Sequence, residues 1–185
     1  MLAATVRHKF TGEQITFIET AAYTNGRYLL IEVMLPPNGE GPPLHYHDEF
    51  VEEFTILEGI LTVSVGEQDH VLTTGQSITA EIGTAHTFNN RHEENVRFRV
   101  KLTPPSQFEE SVRIHYGLMD DGLTNEQGVP KNIFHLILIL KLQNTLIAGK
   151  SLSIQRVLFN LLVHLGKFFK MYQSLEKYTG KKINV

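Results

Sequence analysis

A chain of 185 residues, 42% hydrophobic and 20% charged, has room for one packed domain with a substantial appendage. It contains no cysteine, which excludes disulfides, thiolate metal ligands and cysteine nucleophiles. The net charge of -3 conceals a division: residues 1–130 carry 8 Lys+Arg against 19 Asp+Glu, and residues 131–185 carry 9 against 1, so an acidic body without the basic footprint of nucleic-acid binding precedes a basic tail.

The opening MLAATVRHKFTG has no apolar run long enough for a leader peptide, and a cytoplasmic location is expected. From about residue 4 to 103 the chain reads as short strands. Alternation predicts strands over residues 14–20 and 27–35, the second ended by Pro36-Pro37-Asn38-Gly39. Further strands are expected over residues 51–57, 60–65, 70–73, 77–81, 85–90 and 96–102, with Gly59, Gly66, Gly75 and Gly83 at the turns between or beside them. Many short strands at this spacing imply a β-sandwich or small barrel, and a closed barrel would enclose a pocket.

The pattern changes at Pro104-Pro105. Ser106 followed three residues later by Glu109 predicts a capping box and a helix to about residue 116. Asp120-Asp121-Gly122 reads as a turn, and Gly128-Val129-Pro130 as the start of a second helix to about residue 141. A third helix carries Ile154, Val157, Leu158, Leu161, Leu162, Leu165, Phe168, Phe169 and Tyr172 at three-and-four spacing. A membrane span needs about 20 predominantly apolar residues, and the lysines and Arg156 interrupt the tail well short of that. The stripe is expected to pack on the barrel or on a second subunit, with contact to an anionic membrane as the alternative.

The segment LHYHDEFVEEF, residues 44–54, holds the chemistry. Residues two apart on a strand share a face, so His45 and His47 point the same way. Glu52 has the wrong parity for one continuous strand and joins them only by returning on the next one. His86 is the candidate fourth ligand, and Phe88 and Asn90 share its face if residues 85–90 form a strand. Three imidazoles and a carboxylate suit one divalent transition metal ion (Fe, Mn, Ni, Cu or Zn), with positions left open for substrate. Glu53 or Glu49 is the next candidate if Glu52 does not coordinate. Phe54, Ile56 and Phe88 share parity with these ligands and are expected to line a substrate pocket, with Tyr28 or Met34 joining them. Arg97, Arg99 and Lys101 alternate with Phe98, Val100 and Leu102 and belong to a solvated outer face. No serine elbow and no phosphate-cradling glycine loop is present.

These residues give the chain a resemblance to the cupin superfamily. That family's first motif is met in full by Gly39, His45, His47, Glu52 and Gly59. Its second is met by Gly75, Gly83, His86 and Asn90, with Glu81 in the place of a proline. The segment Gly117-Leu118-Met119-Asp120-Asp121-Gly122, with Asn125 and Gly128-Val129-Pro130, is similar to the helical extension of small stand-alone bacterial cupins. The resemblance implies a mainly β fold: a double-stranded β-helix, or jelly-roll, barrel of two antiparallel sheets with a metal at its middle. The expected domains are a barrel over residues 1–103 and a helical extension over residues 104–185, packing on the barrel or on a partner in a homodimer. The implied function is that of a metal-dependent oxidoreductase, dioxygenase-like, acting on a small organic molecule held in the barrel. A metal-dependent isomerase and a non-enzymatic binding or sensory module are the alternatives. No residue is singled out as catalytic beyond the ligand set.

Overall fold

The structure is a computed structural model that describes residues 4–185; the first three residues of the stretch read for a leader lie outside the described residues. Ten short strands come first: β1 (Thr5–Arg7), β2 (Gln14–Glu19), β3 (Leu29–Leu35), β4 (His45–His47), β5 (Val51–Glu58), β6 (Ile60–Val65), β7 (Gln68–Thr73), β8 (Ser77–Ala80), β9 (His86–Asn89) and β10 (Val96–Thr103). Helices α1 (Phe108–Asp120) and α2 (Ile133–Leu142), strand β11 (Thr145–Ile147), and helices α3 (Leu152–Phe168) and α4 (Glu176–Thr179) follow. The strands form two antiparallel sheets, in the orders β1-β2-β3-β10-β5-β8 and β11-β4-β9-β6-β7. This is the jelly-roll barrel that the motifs imply.

Alternation decides which side of each strand is buried. In β3, Leu29, Ile31, Val33 and Leu35 face the core, and in β10 Val96, Phe98, Val100 and Leu102 meet them. The register Arg99↔Glu32 and Val100↔Ile31 keeps both apolar sets inside, where a one-residue slip would expose them together. Arg97, Arg99 and Lys101 fall on the outer face; Arg97 pairs with Glu32 at 2.7 Å and Glu58 at 3.3 Å. Tyr28 and Met34 do not join the pocket face. Both have the outward parity of β3, and Tyr28 lies under the Lys101 ammonium, 5.0 Å from its ring centroid, with its hydroxyl on Glu19.

The turn at Gly59 needs its glycine. Its φ is 84°, and a Cβ there would sit 2.8 Å from the Asn95 carbonyl oxygen.

The helical tail departs from expectation in three places. Ser106 makes no capping box: it sits at φ 44° with its hydroxyl on Glu49, and α1 begins after Gln107 without a side-chain cap. The second helix starts at Ile133, not at Pro130. Asn125 accepts from the amides of Gln127 and Val129, closing a turn through Gly128, and Asn132 caps the helix by accepting from the Phe134 amide. The third difference is the rotation of α3. Its buried residues are Gln155, Phe159, Val163 and Gly166, whereas Ile154, Val157, Leu158, Leu161, Leu165, Phe168 and Phe169 are exposed. Two contacts set this rotation. The Gln155 carboxamide clips both backbone groups of Ile147 at 2.9 Å, and Gly166 lies so close to the Tyr172 hydroxyl that a Cβ would be 2.2 Å away.

Two apolar clusters result. The first fills the barrel and takes in Val112 and Tyr116 of α1; the second gathers Ile114 and Leu118 of α1 with α2, α3 and Leu146. Helix α1 therefore lies between the barrel and the remaining helices, with one side in each core.

Candidate metal centre

Each cluster residue is placed by backbone pairing. His45 and His47 are buried on one face of β4, and half-exposed Tyr46 faces the other way. Strand β4 meets β9 through a single pair, His45↔His86, which brings those two rings to 4.4 Å between centroids. Glu52 comes from β5 in the opposite sheet, on the inward parity that it shares with Phe54 and Ile56. The turn before His86 forms without the proline: the Thr84 amide donates to the Glu81 carbonyl at 3.0 Å, and the Gly83 amide donates to the His47 carbonyl at 2.8 Å. Asn90 fixes the far end of β9, donating to the carbonyls of Pro36 at 2.9 Å and Glu94 at 2.7 Å.

The four side chains converge. One potential ligand atom from each of His45, His47, Glu52 and His86 lies within 4.8 Å of the others, and all four residues are buried. The Nε2 atoms of His45 and His47 are 3.0 Å apart. Glu52 Oε2 is 3.2 Å from His86 Nε2, and Oε1 is 3.7 Å from His47 Nε2. The outer nitrogens face backbone carbonyls: His45 Nδ1 that of Pro43 at 2.9 Å, His86 Nδ1 that of Thr84 at 2.9 Å, and His47 Nδ1 that of Asn144 at 3.3 Å. A carbonyl accepts only from an N–H, so each contact puts a proton on Nδ1; the Nε2 lone pairs of His45 and His47 then face the centre, while His86 Nε2 faces the Glu52 carboxylate.

That arrangement fits a cation. Two Nε2 lone pairs meeting at 3.0 Å repel unless something positive lies between them. His45 does not supply the proton, because burial, with His47 and His86 beside it, pushes it down to about 3. Burial lowers His47 as well, outweighing the pull of Glu52. Burial opposes charge on His86 too, but there the Glu52 hydrogen bond wins and its pKa rises. Burial works to raise Glu52, yet the His86 hydrogen bond and the neighbouring imidazoles together hold it below its ordinary value. The cluster thus holds one carboxylate, the His86 imidazole paired with it, and two imidazoles pushed toward neutrality, a donor set for a divalent transition metal.

Glu49 and Glu53 are both exposed, and Glu49 accepts from the Ser106 hydroxyl. Phe54 and Ile56 are fully buried in the barrel core, and Phe88 packs against that core. The Phe54 ring lies 6.3 Å from His86 and 5.9 Å from Phe88, next to the cluster.

Sequence reasoning missed Asn144. Strand β11 pairs with β4 over its whole length, Thr145↔His47 to Ile147↔His45, and this places the Asn144 carbonyl on His47 and its side-chain oxygen on the Asp48 amide. An asparagine just after a helix is the single local signal, since asparagine tolerates the left-handed backbone found there.

A family model for the cupin domain matches residues 31–102, the segment that carries all four cluster residues. Residues 31–102 are a cupin domain. No curated protein is significantly similar in sequence. Solved structures similar in fold include a sugar phosphate isomerase of the cupin superfamily from Silicibacter pomeroyi, 22% identical over 52% of this chain with a TM-score of 0.47. A predicted oxalate decarboxylase from Thermotoga maritima is 20% identical over 50% of this chain and 80% of its own, with a TM-score of 0.46. The polyketide cyclase RemF from Streptomyces resistomycificus is 21% identical over 55% of this chain and 68% of its own, with a TM-score of 0.45. The chain spans 62% of the length of the first of these. The matched segment ends before α1, and β11 reaches its ligand-bearing edge from outside it.

Proposed function

We propose that His45, His47, Glu52 and His86 hold one divalent transition metal ion and that the protein is a metal-dependent oxidoreductase of the dioxygenase kind, acting on a small organic molecule. The observation that carries this reading is the convergence of three imidazole nitrogens and one carboxylate within 4.8 Å in a buried site. An ion bound there would supply Lewis acidity and, where redox-active, a route for electrons. His45, His47 and His86 present Nε2 to it, each ring held from behind by a backbone carbonyl. Glu52 supplies the single negative charge of the cluster, and its carboxylate would be placed to accept a proton from a bound substrate. Phe54, Ile56 and Phe88 form the apolar wall beside the site, which suits an aromatic or aliphatic substrate better than a sugar nucleotide and keeps bulk water out.

Elemental analysis of purified wild type beside His47→Ala and His86→Ala tests the site. About one ion per chain in wild type and a sharp loss in both variants is the expected result. Dioxygen consumption across a panel of small aromatic and aliphatic substrates, with Fe, Mn or Cu loaded, tests the reaction. Anaerobic turnover with Zn would assign an isomerase instead, and ligand retention without turnover a binding module. Absence of metal after reconstitution would sink the metalloenzyme reading altogether.

A further inference from the structure

The fold leaves one face of α3 uncovered, and three arcs divide the helix. Gln155, Phe159, Val163 and Gly166 face the core. Arg156, Asn160, His164 and Lys167 form a polar flank. Between these arcs Ile154, Val157, Leu158, Leu161, Leu165 and Phe168 stand exposed, from 38% at Leu165 to 78% at Phe168. Phe169 extends the patch, its ring 5.1 Å from that of Phe168. A contiguous apolar patch rimmed by polar residues marks an interaction surface.

Charge decides the occupant. No Asp or Glu occurs between Glu126 and Glu176, a stretch that holds Lys131, Lys141, Lys150, Arg156, Lys167 and Lys170. Among the described residues one side-chain carboxylate reaches this helix, Asp48, paired with Arg156 at 2.8 Å. Lys167 donates to the Val185 carbonyl, and among the described residues Lys150 and Lys170, at the two ends of α3, have no ion pair. The exposed positions 154, 158, 161, 165 and 168 follow the four-three spacing of a helix-pairing seam. Pairing two copies through it, however, would bring Lys150, Lys167 and Lys170 of each copy together with only the Asp48 carboxylates, already paired with Arg156, to offset them. A bilayer with anionic headgroups meets both demands. Apolar side chains enter the boundary between headgroups and acyl chains, and lysines stay at the phosphate level.

We propose that the exposed face of α3 docks the protein on an anionic lipid bilayer, the helix lying in the plane of the interface. The contact is peripheral, since among the described residues no helix is long and apolar enough to cross a membrane. It is independent of the metal cluster, so failure of either reading leaves the other standing.

Flotation of the full-length protein with vesicles tests this. One set is phosphatidylcholine alone, and the other carries about one third phosphatidylglycerol. The wild type is expected to float with the anionic vesicles and to be stripped from them by high salt. The exposed double variant Leu161→Glu/Phe168→Glu is expected to stay at the bottom while keeping the wild-type melting curve. Lys150→Gln/Lys170→Gln leaves the apolar face intact and should lose on the order of fivefold in affinity per cation removed. No flotation with either vesicle, or equal flotation with both, overturns the proposal. So does a dimer, seen by light scattering without lipid, that Leu161→Glu/Phe168→Glu splits into monomers, because the face would then belong to a second copy.

Discussion

Asn144 occupies the left-handed backbone region at φ 51°, and from there its backbone carbonyl reaches His47 Nδ1 and its side-chain oxygen the Asp48 amide. The two contacts are separable by substitution. Asn144→Gly keeps the backbone conformation and removes the side-chain bond, so His47 loses part of its support, and metal affinity is expected to fall about tenfold with little change in fold. Asn144→Ala adds backbone strain and is expected to cost about 1 kcal/mol more in stability than the glycine variant. Competition with a chelator and denaturant titration measure the two effects. Glu13 offers a pH test away from the cluster. Part of the residue is exposed, but its carboxyl lies deep enough that burial raises its pKa, against the hydrogen bond from the Tyr116 hydroxyl at 3.0 Å. A carboxyl raised on folding contributes stability below its unfolded pKa and loses it as pH rises through the folded value. Glu13→Gln keeps an acceptor for Tyr116 without the charge. It should exceed wild type in stability at neutral pH by on the order of 1 kcal/mol, the gap closing as the pH is lowered. At this scale the cluster was legible in the sequence, because parity and spacing are local properties of a strand. Asn144 was not: it lies 97 residues from its partner His47, and no local pattern carries that pairing.

The strands followed the sequence because each is half-buried, so apolar and polar residues alternate, as Leu29 to Leu35 show. Helix α3 was legible as a helix, but its rotation was not. Within the chain the hydrophobic stripe stays exposed, because a polar residue, Gln155, and a glycine, Gly166, hold the inner side by a hydrogen-bond clip and a close approach. The apparent capping box at Ser106 failed for a related reason: its hydroxyl is taken by Glu49 of the barrel, and tertiary contact overrode the local signal. Two substitutions test how the helices are fixed. Asn132→Ala removes the cap of α2 and should cost about 1 kcal/mol. Gly117→Ala would push a methyl to 2.2 Å from the Tyr178 ring, where α4 lies on α1. It is expected to cost on the order of 1–3 kcal/mol, unless Tyr178 swings out and frees the last turn, which proteolysis near the C-terminus would reveal.

For the whole molecule, the proposed division at residues 103 and 104 does not make the barrel self-sufficient. Val112 and Tyr116 fill the barrel core from α1, and β11 covers the outer edge of β4. A chain ending at residue 103 would open a cavity at the first and leave an unpaired edge at the second. Such a truncation is expected to lose cooperative unfolding and metal retention together. A chain ending after residue 148 keeps α1, α2 and β11 and should hold metal better, though less stably than the full protein. Calorimetry and elemental analysis on the pair would read both. The change from alternation to helical spacing made the switch from strands to helices legible, β10 ending at Thr103 and α1 beginning at Phe108. No local pattern showed that the tail returns to the barrel, because the three residues of β11 are too short to stand out.

Strand β4 pairs with β9 at one position and with β11 at three. The order of synthesis gives this a further meaning. All four cluster residues have been made by residue 86, yet the strand that holds two of them gains most of its partners only when residues 145–147 appear. A nascent chain therefore carries the donor set without the frame that aligns it. An ion that needs this frame would be held only once residues 145–147 have been made and have paired with β4.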